Sequence, residues 1–176
     1  MLLFAGGLFL YSCKERSERP VTQSVALKNK ILQQEDGTIS LKVSKADCYH
    51  DEVNPSTNTA EWNVFVSKSG RFDVWLSSAT KDTTSLDYQN SVLLSILDKR
   101  IEAHPEVDKV IHNSSDVSYP YFRADSFLGS LYIQDTGLYN VQIISEKIVS
   151  DKDIRQESEK VEKSKLLSVF LTPITQ

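Results

Sequence analysis

Several residue types are scarce in this 176-residue chain, and each shortage excludes a class of protein. Two cysteines are too few for a disulfide scaffold or a four-cysteine zinc site. The six glycines form neither a phosphate-binding loop nor a dinucleotide-binding fingerprint. No apolar run reaches the roughly 18 residues that a membrane-spanning helix needs. The formal net charge of −4 also lacks the basic excess that is typical of proteins that bind nucleic acid.

Motifs for catalysis and for metal binding are also missing. His50, His104 and His112 form no His-Glu-x-x-His pattern and no other metal-ligand spacing. The acidic stretch 47–52 offers carboxylates to calcium but lacks the repeated Asp-x-Asp of a calcium loop. We therefore assign no metal ligand and no cofactor, with calcium left open, and predict no enzymatic activity. A hydrolase that uses two carboxylates stays open, because such a pair leaves no signature in sequence.

The first residues have the pattern of an export signal. Residues 1–13 are apolar and uncharged, and a dense charge cluster follows at 14–19. Residues 10–13 (Leu-Tyr-Ser-Cys) resemble a bacterial lipobox, although Tyr11 is bulkier than usual and a basic start is absent. We expect a signal peptide over 1–13, acylation of Cys13, and a tether over 14–36. The protein would then be exported and anchored in the bacterial cell envelope, and Cys48 would be a small buried residue without a disulfide partner.

From residue 37 onward, apolar and polar residues alternate with the period of two that is typical of strands. The alternating or apolar segments are 38–44, 61–67, 71–77, 91–97, 128–134, 138–144 and 166–171. Short turns that end in Gly70 and Gly137 join two pairs of them, which we interpret as two hairpins. The sequence thus predicts an all-β fold, an antiparallel jelly-roll-like β-sandwich of about eight strands over residues 37–176. The highly charged segment 151–165 is expected to be a surface insert before the last strand.

Two parts of this pattern resemble a known family. A tryptophan-bearing strand, a glycine turn and an aromatic-x-Val-x-Leu strand occupy residues 60–76, and a Tyr-x-Val-x-Ile strand follows a second glycine turn within 128–144. The arrangement resembles the galactose-binding-like, carbohydrate-binding-module β-sandwiches attached to secreted bacterial α-L-fucosidases and sulfatases. The resemblance covers about residues 37–173 and implies a β-sandwich and, by association, a carbohydrate ligand. It fixes no ligand-binding position in this chain.

Candidate ligand-binding residues therefore come from side-chain chemistry. Recognition of a sugar needs flat aromatic faces together with polar groups for the hydroxyls. Trp75 is the first candidate, because it alternates with Phe72, Val74 and Leu76 and so faces away from their layer. Further candidates in expected loops are Tyr88, Tyr119, Tyr121 and Arg123. By the same alternation Trp62 is predicted to lie in the core.

Three functions remain open at this point. The first is an exported, lipid-anchored, non-catalytic module that binds carbohydrate or another cell-envelope ligand. The second is a structural or protein-interaction lipoprotein, accessory to a larger complex of the envelope. The third is a hydrolase of unknown type. An exposed aromatic pair with adjacent polar groups would favour the first, and a contiguous exposed apolar patch would favour the second.

Overall fold

The computed structural model describes residues 30–149 and 164–174. The expected signal peptide, Cys13 and nearly all of the charged segment 151–165 lie outside these residues. Within them there is no helix long and apolar enough to cross a membrane. The first described strand lies inside the stretch 14–36 that the sequence predicts to be a tether, so the folded domain includes residues from Lys30 onward.

The described residues form eleven strands and two short 3₁₀ turns. The strands are β1 (Lys30–Leu32), β2 (Ile39–Lys42), β3 (Asp47–Tyr49), β4 (Thr59–Val66), β5 (Gly70–Thr80), β6 (Val92–Ile96), β7 (Lys99–Ala103), β8 (Lys109–Ile111), β9 (Phe122–Ile133), β10 (Gly137–Ile144) and β11 (Ser164–Pro173). The 3₁₀ turns are Val43–Lys45 and Pro55–Thr57. The predicted strands are all present, and the ambiguous apolar run 91–97 is β6.

Two sheets stack to form the sandwich. The six-stranded sheet has the order β1-β4-β10-β6-β7, with β3 also paired to β4. The five-stranded sheet has the order β2-β11-β5-β9-β8. Only the β1–β4 pair among the described strands is parallel. The predicted all-β sandwich is confirmed.

The two predicted hairpins are wrong, because each glycine turn is an arch between the sheets. Strands β4 and β5 belong to different sheets, and so do β9 and β10. The arches lie side by side, since Gly137 is paired with Val66 and Gly70 with Ile133. Both glycines have positive φ (152° at Gly70 and 151° at Gly137), a conformation that glycine adopts without strain. Alternation cannot separate the two cases, because a strand buries one face whether its neighbour pairs with it or stacks on it.

Inward-facing side chains of both sheets form one core. Trp62 is only 2% exposed, which confirms the prediction that it is a core residue. Its indole N–H donates a hydrogen bond of 2.9 Å to the carbonyl of Lys42. Because Trp62 lies in the six-stranded sheet and Lys42 in the five-stranded one, this bond links the sheets and satisfies a polar atom that would otherwise be buried unpaired.

The prediction that Cys48 is a small buried residue is wrong. It lies on β3, a three-residue strand whose side chains are all exposed, and is itself exposed. Its Sγ is 3.9 Å from the carbonyl oxygen of Val43. Among the described strands β3 pairs only with β4, and its side chains stay exposed, which the apolar character of Cys48 does not indicate.

Candidate ligand-binding face

The outward face of the five-stranded sheet carries the candidate site. On β5, Phe72, Val74 and Leu76 point into the core and are at most 1% exposed. Trp75 lies between them and points outward, where it is partly exposed. The orientation predicted for Trp75 from alternation is therefore the one observed.

Strand register places two further aromatic rings beside Trp75. Phe170 on β11 and Phe127 on β9 are its direct cross-strand partners. The centroids of the Trp75 and Phe170 rings are 6.4 Å apart, with only 7° between their planes. Phe127, which is 46% exposed, tilts by 57° against the indole at 5.2 Å. The three side chains form a continuous aromatic row across three adjacent strands.

Irregularities in both neighbouring strands lie next to this row. The pairing of β11 with β5 shifts between Leu166 and Ser168, and that of β9 with β5 shifts between Phe127 and Gly129. Each shift adds one residue to the strand beside β5, which is the geometry of a β-bulge. At the second shift, the backbone N–H of Phe127 donates 2.6 Å to the carboxylate of Asp108. The bulges let apolar residues on both sides of each shift stay in the core while Phe170 and Phe127 face outward.

A polar row lies next to the aromatic row, two residues along each strand. Its members in register are Lys42, Ser168, Ser77 and Asp125. Asp125 is 4% exposed, yet its carboxylate accepts a 2.6 Å hydrogen bond from the Ser77 hydroxyl. Arg123 donates to both oxygens of the same carboxylate, at 2.8 Å from Nε and 3.1 Å from Nη2. The buried acid is thus fully paired, as an ionised group in such a place must be.

The loop between β8 and β9 reaches across this face through Asp116. One carboxylate oxygen of Asp116 is 3.0 Å from Lys42 Nζ on β2, and the other is 3.1 Å from Arg123 Nη1 on β9. Because β11 and β5 lie between those strands, the loop must cover them at this end, which explains why Ser77 and Ala79 are almost inaccessible. The hydrogen bond from Lys42 holds the pKa of Asp116 below its ordinary value, against partial burial, and the charges of Lys42 and Arg123 add to it.

Arg123 connects the polar and aromatic rows. Its guanidinium carbon lies 5.5 Å from the centroid of the Phe170 ring. Burial alone would lower the pKa of Arg123, but the hydrogen bond and charge of Asp125, with Asp116, outweigh it and raise that pKa. The guanidinium is therefore a fixed cation, held by two carboxylates beside a flat aromatic surface.

Tyr121 extends the same end of the face. Lys81 Nζ lies 5.1 Å and Lys165 Nζ 5.8 Å from the centroid of its ring. Both distances are within the range of cation–π attraction. Lys165 is paired with Ala79, and Tyr121 directly precedes β9, so both belong to the outer surface that includes Arg123.

The remaining two predicted residues occupy different surroundings. Tyr119 is 92% exposed in the loop that contains Asp116. Tyr88 is in a loop as expected, but it is 5% exposed and packs in the core. Its hydroxyl is 2.9 Å from that of Ser78. Tyr88 therefore has no accessible surface to offer a ligand, because its loop folds over the end of the sandwich.

A pocket of about 470 Å³ adjoins the polar row. It is lined by Lys42 and Ser168 of the five-stranded sheet, by Asp116 of the β8–β9 loop, and by Cys48 and His50. Val43 and Leu166 are among its apolar lining residues. The pocket thus borders the polar row at Lys42 and Ser168, and the aromatic row lies two residues further along the same strands.

The acidic stretch 47–52 does not gather metal ligands. Asp51 accepts hydrogen bonds from the backbone N–H groups of Val53 and Asn54, at 2.9 and 3.0 Å, and these bonds lower its pKa. Across residues 30–149 and 164–174, no group of three or more His, Cys, Asp or Glu side chains could hold a metal ion. In the described structure Asp51 organises its own turn, and the expectation of calcium remains untested.

Comparisons with known proteins bear on the fold. No protein-family model matches the chain, and no curated protein matches it in sequence. Among solved structures, it is similar to an α-L-fucosidase from Vibrio sp. strain EJY3, with a TM-score of 0.64 and 21% identity over 82% of this chain and 24% of that one. A β-(1,4)-mannanase of Podospora anserina gives a TM-score of 0.47 and 9% identity over 80% of this chain and 28% of that one. The chain thus spans about a quarter of the fucosidase, and the likeness shows a shared β-sandwich fold.

Proposed function

We propose that this protein is a non-catalytic carbohydrate-binding module whose ligand lies on the outward face of the five-stranded sheet. The observation that supports this most directly is the aromatic row of Trp75, Phe127 and Phe170 beside the fixed Arg123. Ring faces pack against the C–H groups of a sugar, and the adjacent charged and hydroxyl groups bind its hydroxyls. The likeness to part of an α-L-fucosidase is consistent with a module of this kind.

The shape of the face favours a chain of sugars over a single ring. Trp75 and Lys81 are six residues apart on and just after β5, a separation of roughly 20 Å along a strand. The aromatic row, Arg123 and Tyr121 with its lysines are distributed over that length. A ligand that contacts all three has to pass over the Asp116 loop, which covers Ser77 and Ala79, and must therefore be longer than a monosaccharide.

An affinity-gel or glycan-array screen of the full chain tests the proposal. We expect retention by a defined glycan, and a loss of at least about tenfold in affinity for Trp75→Ala, which removes the middle ring of the row. Phe65→Ala is the matched control, because Phe65 is also an exposed aromatic residue but lies on the six-stranded sheet. Retention that falls equally in both variants, or no retention of the folded protein by any glycan, would contradict the proposal.

We further propose export and lipid anchoring through Cys13, on the sequence pattern of residues 1–13. Acyl chains on this cysteine would attach the binding face to a membrane of the cell envelope. Cys13→Ala should move the protein from the membrane fraction to the soluble fraction, with Cys48→Ala as the control. Membrane retention of the Cys13→Ala variant would contradict the anchor.

An accessory role in a protein complex is the second candidate, and one observation favours it. Leu32, Phe65 and Leu138 are exposed cross-strand neighbours on the outward face of the six-stranded sheet. Such a contiguous apolar row is typical of a protein contact. If Phe65→Ala abolished co-purification of a partner while glycan binding was absent throughout, this second function would replace the first.

A further inference from the structure

We infer that the glycan bound at this face is acidic, and that its carboxylate or sulfate groups contact Lys81 and Lys165. This inference rests on the proposed function and names the chemical class of its ligand. It concerns the Tyr121 end of the face, where the two lysines approach the same aromatic ring.

The first argument is that these two cations have no ion-pair partner among the residues that the structure describes. The ion pairs within the described residues join Lys42 and Arg123 to Asp116, and Arg123 to Asp125. Neither Lys81 nor Lys165 takes part in them. Both ammonium groups instead lie at 5.1 and 5.8 Å from the centroid of Tyr121. Two like charges brought to one ring repel each other, and a bound anion would relieve that repulsion.

The second argument is the charge balance of this end of the face. Lys42, Lys81, Arg123 and Lys165 contribute four positive charges. Asp116, Asp125 and Asp82, which directly follows Lys81, contribute three negative charges, and the first two are already paired with Lys42, Arg123 and Ser77. Among the residues that the structure describes, the side chains at this end sum to one positive charge, on a chain whose formal net charge is −4. A local excess of positive charge attracts anions even though the protein as a whole is negatively charged.

The third argument is position. Lys165 and Lys42 both line the pocket of about 470 Å³, so a ligand on the aromatic row that continues past Arg123 meets ammonium groups within a concave surface. Concavity excludes water and strengthens such contacts. The hydroxyls of a neutral glycan would accept hydrogen bonds in which only the ammonium is charged, whereas uronates or sulfate esters would form ion pairs in which both partners are charged.

The experiment compares polymers that differ only in charge. Affinity electrophoresis of the full chain would use polygalacturonate against its fully methyl-esterified form, and dextran sulfate against dextran. The first pair tests carboxylates and the second tests sulfate esters. We expect stronger retardation by the acidic member of at least one pair, with an affinity that falls as salt is raised.

Variants assign the effect to the two lysines. Lys81→Gln with Lys165→Gln should weaken binding of the acidic polymer roughly fivefold to tenfold. The double variant Lys68→Gln with Lys99→Gln has the same net charge and should bind like the wild type, because Lys68 lies in an arch and Lys99 on β7. If the first double variant fails to fold, Lys81→Gln alone is the test, since this side chain is exposed.

The outcomes separate the two proposals. Equal binding of acidic and neutral polymers, lost in Trp75→Ala, would overturn the acidic ligand and support the carbohydrate-binding face. If binding of the acidic polymer were lost equally in both double variants, the effect would be one of general charge, and this would also overturn the acidic ligand. If binding of the acidic polymer depended on Lys81 and Lys165 but not on Trp75, this would support the site at the two lysines and overturn the proposed aromatic face. No binding of any polymer would overturn both.

Discussion

The two outward faces of the sandwich differ in what occupies their middle positions. On the five-stranded sheet, Phe170, Trp75 and Phe127 are cross-strand neighbours, and a buried, fully paired Asp125 lies two residues beyond. On the six-stranded sheet, the middle pair is Asn63 with Asn140. Beside it the Gln142 amide donates 2.6 Å to Glu61, and this pair is only partly buried.

The difference is the one expected if the five-stranded sheet is the ligand-binding face, while the exposed row of Leu32, Phe65 and Leu138 on the six-stranded sheet is the surface of the second candidate function. Solvated amides on a strand surface cost little and need no precise partner. Three adjacent outward aromatic rings expose apolar area that burial would have stabilised, and a buried ion pair adds no clear stability over apolar packing. Contact with a ligand would account for both the exposed aromatic rings and the buried ion pair. The predictions below test this contrast, from the largest expected effect to the smallest.

The contrast would break if Trp75 were a structural residue like the other tryptophan. Trp62→Ala should destabilise the protein by about 4 kcal/mol, because it empties a core site and leaves the sheets unlinked. Trp75→Ala should cost no more than about 2 kcal/mol, from its partial burial and two ring contacts. Urea unfolding of both variants measures this. Equal losses of unfolding free energy in the two variants would mean that Trp75 is a core residue like Trp62, and the distinction between the two faces would no longer hold.

The ion pairs sharpen the contrast. Arg123→Met should destabilise the protein by about 3 kcal/mol, because it leaves the carboxylate of Asp125 buried with only Ser77 as a partner. The matched change on the other face, Gln142→Met, breaks a partly buried pair and should cost under about 1 kcal/mol. Chemical denaturation again provides the measurement. A loss for Arg123→Met as small as that for Gln142→Met would mean that water reaches Asp125.

The smallest expected effect concerns Asp116 and pH. The pKa of this carboxyl is lowered from 3.8 by the hydrogen bond from Lys42 and by neighbouring charges. Because this pKa is lowered in the folded state, the stability that the ionised Asp116 carboxylate contributes is complete above pH 3.8 and is lost as the pH falls through the folded-state pKa. Near neutral pH the free energy of unfolding of the wild type should therefore be higher than that of Asp116→Asn by under about 1 kcal/mol, since the ion pair is partly exposed.

The check is thermal unfolding of wild type and Asp116→Asn as the pH is lowered from neutral. The difference in unfolding temperature should shrink once the pH is below 3.8. A difference that stayed constant over this range would show that the Asp116 bridge does not stabilise the loop through its charge.

Much of this architecture follows from alternation along the sequence. Seven of the eleven described strands, the core position of Trp62 and the outward position of Trp75 follow from the period of two, whereas short strands such as β1, β3 and β8 give no such signal. Pairing does not, since arches and hairpins present the same pattern, and for this reason both predicted hairpins are wrong. Tyr88 shows a related limit, because a loop that folds over a core buries its aromatic residue without any periodic signal.

The partners of Trp75 were missed for a similar reason. The alternation of 166–171 does point Phe170 away from Val169 and Leu171, so an outward ring could have been found from the sequence. That it lies beside Trp75, 95 positions away in the chain, depends on register and on a bulge that the sequence does not announce. Lys42 and Asp116 are likewise 74 positions apart and meet only because a loop crosses the sheet.

The most direct test of the central claim is an NMR titration that follows the two tryptophan indole N–H signals. Trp62 and Trp75 are the only tryptophans in the chain, and one is in the core while the other is on the proposed binding face. On addition of a retained glycan, we predict that the Trp75 signal shifts while the Trp62 signal stays in place. A bound glycan that leaves the Trp75 signal unchanged would contradict the account.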